Sequence, residues 1–503
     1  MAGLEISGRL LARNSLLNFI GQALPLCVTI VAIPFIIRAL GVERFGLLSI
    51  AWVVLEYFII FDCGLGRASA KYVAEALGND DQDQISRIAW TTLMVQLGFG
   101  LVGTAVVFGV TPLLVEHIFN ISPALTAEAK VMFSLIAMAV PLVLASSSLT
   151  GMLAAAQRFD LVNAVNALSS VANSFAILVG VLYLGWQLTH LVMVLVVVRG
   201  LGLITNYWLC TRIFSTLTGL PQFRLAELNK LLSFGGWVTV SSMVVPLLLY
   251  MDRFVIGATL TMTAVAYYSV PYDIVTRLWI IPLSLITALY PAFSTVKGQG
   301  RGEQLAPLMA QSMKWVLLTL GPIVVLISAF ASDILRLWLG LDFARESTIA
   351  FQILLVAILI NSMVQVPYTL VQALGRPDLT AKFHLIQLPF HGVLVWLLVS
   401  RWGVMGAAIA QAIRITLEAL LLLVAGCRLA SLPFGSFVAD RTVQTLLLIF
   451  LCTALAIGVS NLSIVMWLRL LALAIILSAV TGTVWRYSLK DQDRGEVAKL
   501  FGR

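Results

Sequence analysis

Apolar residues in this chain gather in runs of span length rather than in short periodic stripes. Runs of roughly 20 residues, enough to cross a bilayer as a helix, occupy 14–37, 46–66, 86–110, 130–152, 161–184, 188–212, 232–252, 263–292, 312–331, 348–373, 381–399, 403–427, 442–460 and 464–485. Within lipid each backbone N–H and C=O must find a partner inside the protein, so uninterrupted runs of this length predict helices and not strands. The pattern predicts an all-α membrane protein of about fourteen transmembrane helices, with both termini on one side. One connection has a different pattern. Phe223, Leu225, Leu228, Leu231 and Leu232 recur at helical spacing with Arg224, Glu227 and Lys230 between them, which predicts a short helix lying on the membrane surface.

Composition supports this reading. The 503 residues are 60% hydrophobic and 11% charged, whereas soluble domains average about 45–50% apolar and about 25% charged. The net charge of +8 reflects topology rather than a nucleic-acid surface, because the basic residues lie in short connections between spans. The side that holds the termini carries 21 lysines and arginines against 8 on the other. By the positive-inside rule both termini are then cytoplasmic, in a bacterial inner membrane. The first apolar run is too long for a signal peptide and follows Arg9 and Arg13. Outward connections are short and leave no room for an extracytoplasmic catalytic domain. The five cysteines, Cys27, Cys63, Cys210, Cys427 and Cys452, are scattered, so no disulfide or metal site is expected.

The chain also matches itself. A shift of 215 lays Arg9, Leu10, Asn14, Phe19 and Arg38 on Arg224, Leu225, Asn229, Phe234 and Arg253. A shift of 220 then lays Ser49, Gly78 and Gln84 on Ser269, Gly298 and Gln304. A shift of 218 lays Phe133, Arg158, Asp160 and Gly185 on Phe351, Arg376, Asp378 and Gly403, and the polar stripe Asn166, Ser169, Asn173 on His384, Gln387, His391. Ordered matches at steady offsets predict two pseudo-symmetric six-helix bundles of the same orientation, with an extra C-terminal helix pair. The implied division is an N-terminal bundle over 1–214, a cytoplasmic linker with the surface helix over 215–232, a second bundle over 233–430, and helices 13 and 14 with a cytoplasmic tail over 431–503.

Several motifs point to a known group. Asn14 in the first helix is followed by Arg38-Ala39-Leu40-Gly41-Val42-Glu43-Arg44-Phe45-Gly46 and by Phe61-Asp62-Cys63-Gly64-Leu65-Gly66-Arg67. Two inner turns read Ala156-Gln157-Arg158-Phe159-Asp160 and Leu374-Gly375-Arg376-Pro377-Asp378. This resembles the Wzx-like oligosaccharide flippases, the polysaccharide transporter branch of the multidrug/oligosaccharidyl-lipid/polysaccharide exporter superfamily, over roughly the first 430 residues. The resemblance implies two bundles forming a V-shaped cleft with alternating access, and neither nucleotide hydrolysis nor metal chemistry. It implies a polyprenyl-diphosphate-linked glycan as substrate, the lipid bilayer as surroundings, and polysaccharide polymerase and chain-length machinery as partners. No phosphate-binding Gly-x-x-x-x-Gly-Lys-Ser/Thr loop occurs in the sequence.

Ionisable residues inside spans cost at least about 2.5–3.5 kcal/mol each, so they are paired or functional. Here they are Glu56, Asp62, Arg199, Asp273, Arg277, Arg414 and Glu418. In one reading Arg277, Arg199 and Arg414 bind the diphosphate, because a planar guanidinium grips phosphate oxygens in bidentate fashion. Glu56 and Asp273 then hold the arginines or exchange protons. In the other reading these groups are ion pairs that fix helix packing, and Asp62 caps a helix end. The stripes Asn166/Asn173 and His384/His391 contact sugar hydroxyls or hydrogen-bond neighbouring helices. Asp80-Asp81-Gln82-Asp83 reads as a solvated turn. Two functions besides a flippase fit the helical plan: a multidrug-type antiporter of small cations, and a membrane polymerase or ligase, which the short outer loops disfavour.

Overall fold

The computed structural model describes residues 28–58, 62, 64–219, 221–233, 236–430 and 441–461, with a few positions between 468 and 482. Asn14, Cys27, Cys63 and most of the span 464–485 lie outside the described residues. The described chain is helical and falls into two compact units, Met1–Ala266 and Tyr267–Arg503. The fourfold division read from the sequence is a proposal resting on the repeat.

In the first unit α1 (Val28–Leu40) turns at Gly41, whose φ of +87° suits a residue without Cβ. There follow α2 (Val42–Tyr57), α3 (Leu65–Gly78), α4 (Gln82–Leu113), α5 (Thr126–Ala155), α6 (Phe159–Tyr183), α7 (Leu188–Ile213), α8 (Leu225–Ser233) and α9 (Gly236–Thr259). The expected acidic turn is a helix start, in which Asp81 caps α4 by accepting the Gln84 N–H at 2.8 Å. The expected surface helix is α8, which packs on α3 and α4. Thr91 anchors its approach, accepting from the Arg224 N–H and donating to the Gln222 carbonyl.

Helix α5 is the axis of this unit, in contact with α2, α3, α4, α6 and α7. Half of its central window is buried, against 17% for α6 and 22% for α7, whose remaining faces are apolar and suited to lipid. Small residues permit the close approaches. A Cβ on Gly151 would collide with the Gly66 carbonyl of α3, and one on Gly100 of α4 would collide with the Pro141 backbone. Gly151→Leu is therefore expected to cost about 1–3 kcal/mol or more by forcing α3 from α5, and to lower the yield of monodisperse protein in detergent. Gly98→Leu, where a Cβ meets nothing within 4 Å, is the matched control and should leave that yield unchanged.

The second unit takes in the end of α10 (Met262–Arg277), then α11 (Ile280–Gly298), α12 (Leu305–Ala329), α13 (Ala331–Leu339), α14 (Leu341–Ala373), α15 (Pro377–Leu429) and α16 (Thr442–Asn461). Helix α14 is its axis and touches α11, α12, α13 and α15. Gly403, at φ +56°, breaks α15 into two helices that fold back on one another, so that Leu398 lies against Gly406. Helix α16 lies along α12, with Ile449 against Gly321.

The internal repeat is structural. A shift of 220 carries α2 onto α10 end for end, and the last residue of α3 onto the last residue of α11. A shift of 218 carries the end of α5 onto the end of α14 and the start of α6 onto the start of α15. Left-handed backbone recurs at the same offsets: Asp80 with Gly300, Gln157 with Gly375, Gly185 with Gly403. The inner-turn ion pair recurs too, Arg158 Nε to Asp160 and Arg376 Nε to Asp378, both at 2.9 Å.

Two runs that are continuous in the sequence are interrupted in the structure. The run 46–66 is divided at Gly64, whose left-handed conformation (φ +73°) precedes the start of α3 at Leu65. The run 263–292 stops at Arg277 and restarts at Ile280, with Pro282 in the new first turn, where a missing N–H costs little. The breaks occupy corresponding places in the repeat. Interrupted helices at matched positions are where transporters built from repeats hold their substrates.

Candidate functional site

Asp62 stands in the first break and faces a cavity of about 460 Å³ inside the first unit. Three helices close around it. From α5 come Ser146, Ser147 and Thr150; from α6 come Asn166, Ser169, Ser170 and Asn173; from α7 come Arg199, Gly202 and Asn206. The polar stripe of α6 thus meets Asp62 and Arg199, two of the charges singled out in the sequence. Asp62 is held by the Gln96 amide at 2.5 Å, by the Gly66 N–H at 3.4 Å and by Ser147. Its position at the start of α3 is electrostatically favourable, since a helix N-terminus attracts an anion.

Arg199 is exposed toward this space, makes no ion pair within 4 Å among the described residues, and is in electrostatic reach of Glu56 on α2. Glu56 also feels Arg253 of α9, which lies over the Tyr250 ring at 5.4 Å. Arg253 and its neighbour Asp252 are buried, at 3% and 0% exposure. Run boundaries in the sequence put Arg253 in an outward loop, but α9 continues to Thr259 and carries both charges inside the helix. Phe254-Val255-Ile256 beyond them is the available signal. Lys314, within the apolar run 312–331, is a buried residue of α12, 1% exposed.

In the second unit the equivalent stripe is packed rather than open. His384, Gln387 and His391 are all buried on the first half of α15. His384 Nε2 meets Glu418 Oε1 at 3.2 Å, across the fold at Gly403. Arg414 donates from Nη1 to Glu418 Oε2 at 2.9 Å and from Nε to Gln411 Oε1 at 3.0 Å, and Gln411 reaches the Tyr272 hydroxyl at 3.4 Å. Arg414 and Glu418 are therefore each other's partners. Asp273 is half-buried, one turn before Arg277. Arg277 is the last residue of α10, exposed at the second break, with no ion pair among the described residues.

Residues 11–297 of the chain match the family model described as "Polysaccharide biosynthesis protein", and residues 238–397 match the model named MatE. The chain is 28% identical over 413 residues to a Shigella flexneri protein named "Putative O-antigen transporter", covering 82% of this chain and 96% of that one. It is 24% identical over 221 residues to a probable low-salt glycan biosynthesis flippase of Haloferax volcanii, covering 43% of this chain and 45% of that one. Among solved structures, the lipid II flippase MurJ in an inward closed conformation superposes with a TM-score of 0.71 at 12% identity, over 94% of this chain and 99% of that one. An inward-facing multidrug resistance MATE family transporter of the MOP superfamily gives 0.71 at 16% identity, over 82% and 98%. At such identities these structures show the fold alone: the all-α fold of those two proteins.

Proposed function

The chain belongs to the polysaccharide biosynthesis protein family, and from that membership we propose that it is a flippase for a lipid-linked glycan. It is a multi-pass transport protein and not an enzyme. In this reading it moves a polyprenyl-diphosphate-linked oligosaccharide from the cytoplasmic to the outer leaflet of the bacterial inner membrane by alternating access, with both termini cytoplasmic. The product feeds surface polysaccharide assembly, where a polymerase and chain-length machinery act next.

The observation that carries the reading is the similarity to an O-antigen transporter along 96% of that protein's length. The charges fit. Arg277, exposed at the end of a broken helix and without an ion pair among the described residues, is the group we assign to the diphosphate. Asp273 lies one turn away on the same helix, close enough to balance that charge. Arg199 faces the first unit's cavity with Glu56 in electrostatic reach and Asp62 on the same lining. Arg414 and Glu418 act as a fixed pair within the second unit. A carrier of small organic cations, the reading the MatE match favours over residues 238–397, needs unpaired carboxylates instead.

Depletion of the protein in cells separates the two. A flippase leaves polyprenyl-diphosphate oligosaccharide accumulating on the inner leaflet and removes surface polysaccharide. Unchanged lipid-linked sugars with raised sensitivity to cationic drugs would replace the flippase by the antiporter.

A further inference from the structure

We infer that the cavity of the first unit is a subsite for a sugar residue of the glycan, and that it does not bind the diphosphate. The inference rests on the flippase reading and adds where the glycan is held.

The lining sets the ligand chemistry. Its polar groups are mostly neutral hydroxyls and amides, with Asp62 and Arg199 as the one acid and one base among the described lining residues. A diphosphate brings concentrated negative charge, and here a single guanidinium would have to hold it beside a carboxylate. That is a poor match, because like charge in a site of low dielectric is costly. Sugar hydroxyls need the opposite: many neutral donors and acceptors at short spacing, with no net charge. Among the described residues no lining side chain is aromatic, so these offer a flat organic cation nothing to stack on. Its volume of about 460 Å³ lies within the roughly 300–1,000 Å³ usual for small-ligand sites.

Two buried side-chain oxygens beside the cavity, those of Asn173 and Asn206, are unsatisfied among the described residues. Buried amide oxygens without donors are rare in native proteins and call for an explanation. Both residues line this cavity, from α6 and α7, and a rotation of either amide that turns its oxygen into the cavity would let a pyranose hydroxyl satisfy it. Arg199 donors can complete the set on the sugar's ring or acidic substituents. The corresponding stripe in the second unit is filled by larger side chains, His384, Gln387 and His391, all buried. The repeat thus keeps one stripe open and packs the other.

The test uses the purified full-length chain with its five cysteines replaced by serine and Ser170→Cys added as a reporter inside the cavity. The rate of modification by a small polar methanethiosulfonate is measured with three probes: the cell's own polyprenyl-diphosphate oligosaccharide, the same lipid after the glycan is removed, and the released oligosaccharide alone. The intact lipid is expected to slow labelling at least about five-fold, the released glycan to do so at higher concentration, and the bare lipid to do nothing. Asn206→Leu should abolish protection, read as the ratio of its own rates with and without lipid; Asn173→Leu serves if that protein does not fold. Equal protection by bare and intact lipid, no protection by either, or undiminished protection in the Asn variants overturns the subsite. None of these results bears on the flippase reading, which the depletion experiment decides without this cavity.

Discussion

Glu418→Ala protein is expected to lose about 3–5 kcal/mol of stability, the usual result of removing one partner from a buried ion pair. Arg414 is 3% exposed and gives Nη1 to Glu418 and Nε to Gln411. Without the carboxylate a full positive charge stays buried, facing a neutral amide oxygen and a histidine ring. Arg414→Ala leaves the reverse problem, a carboxylate with only His384 at 3.2 Å. Apparent melting temperature in detergent and the amount of protein in the membrane should fall for both single variants. The double change Arg414→Met, Glu418→Leu should lie closer to wild type than either, because the penalty belongs to the unpaired charge and not to the loss of the pair. A Glu418→Ala protein melting with wild type would show that Arg414 is satisfied without Glu418.

Much of the repeated architecture is legible in the amino-acid sequence. The offsets of 220 and 218 come from a handful of identities, and the helix ends, left-handed positions and inner-turn ion pairs obey them. A repeated bundle repeats its turns, and turns tolerate few residues. The two helix breaks are not legible, because hydropathy averages over about 19 residues. Near the first break the apolar stretch Tyr57-Phe58-Ile59-Ile60-Phe61 keeps that average high. Gly64 and Pro282 are the local signs, outvoted by apolar neighbours. Arg253 is misplaced for the converse reason: two adjacent charges end an apolar run that the helix itself continues through.

The polar stripes show a different limit. Periodicity puts Asn166, Ser169 and Asn173 on one face of a helix, and His384, Gln387 and His391 on the matching face of another. It does not tell that one face borders a cavity and the other a packed interior. That depends on what lies opposite. Across the first stripe stand Ser146, Ser147 and Gly202, too small to fill the space. Facing the second, Glu418 reaches His384 across the fold at Gly403. Volume across an interface is a tertiary property, and one chain's sequence carries it only implicitly.

Arg277→Ala is expected to reach the membrane at normal levels and to fail in transport. The level should hold because Arg277 is exposed at the end of α10 and has no ion pair among the described residues, so its removal strands no buried charge. Ending a helix also suits a cation, which the terminal carbonyls favour; losing that costs about 0.3–1 kcal/mol. The transport defect should be larger. A hydrogen bond to a charged group contributes about 1.5–3 kcal/mol, equivalent to about 10- to 150-fold in affinity, and a bidentate grip on a diphosphate provides more than one. Surface polysaccharide in a depleted strain carrying the variant should therefore fall at least about ten-fold, with polyprenyl-diphosphate oligosaccharide accumulating inside. Arg277→Lys keeps the charge and loses the planar fork, and should fall between the two. Asp273→Asn should weaken transport less than Arg277→Ala, since it removes a neighbouring charge and leaves the guanidinium itself in place. Full complementation by Arg277→Ala protein at normal abundance would remove Arg277 from the substrate path. The positive charge for the diphosphate would then have to come from elsewhere, with Arg253 of α9 the next residue to change.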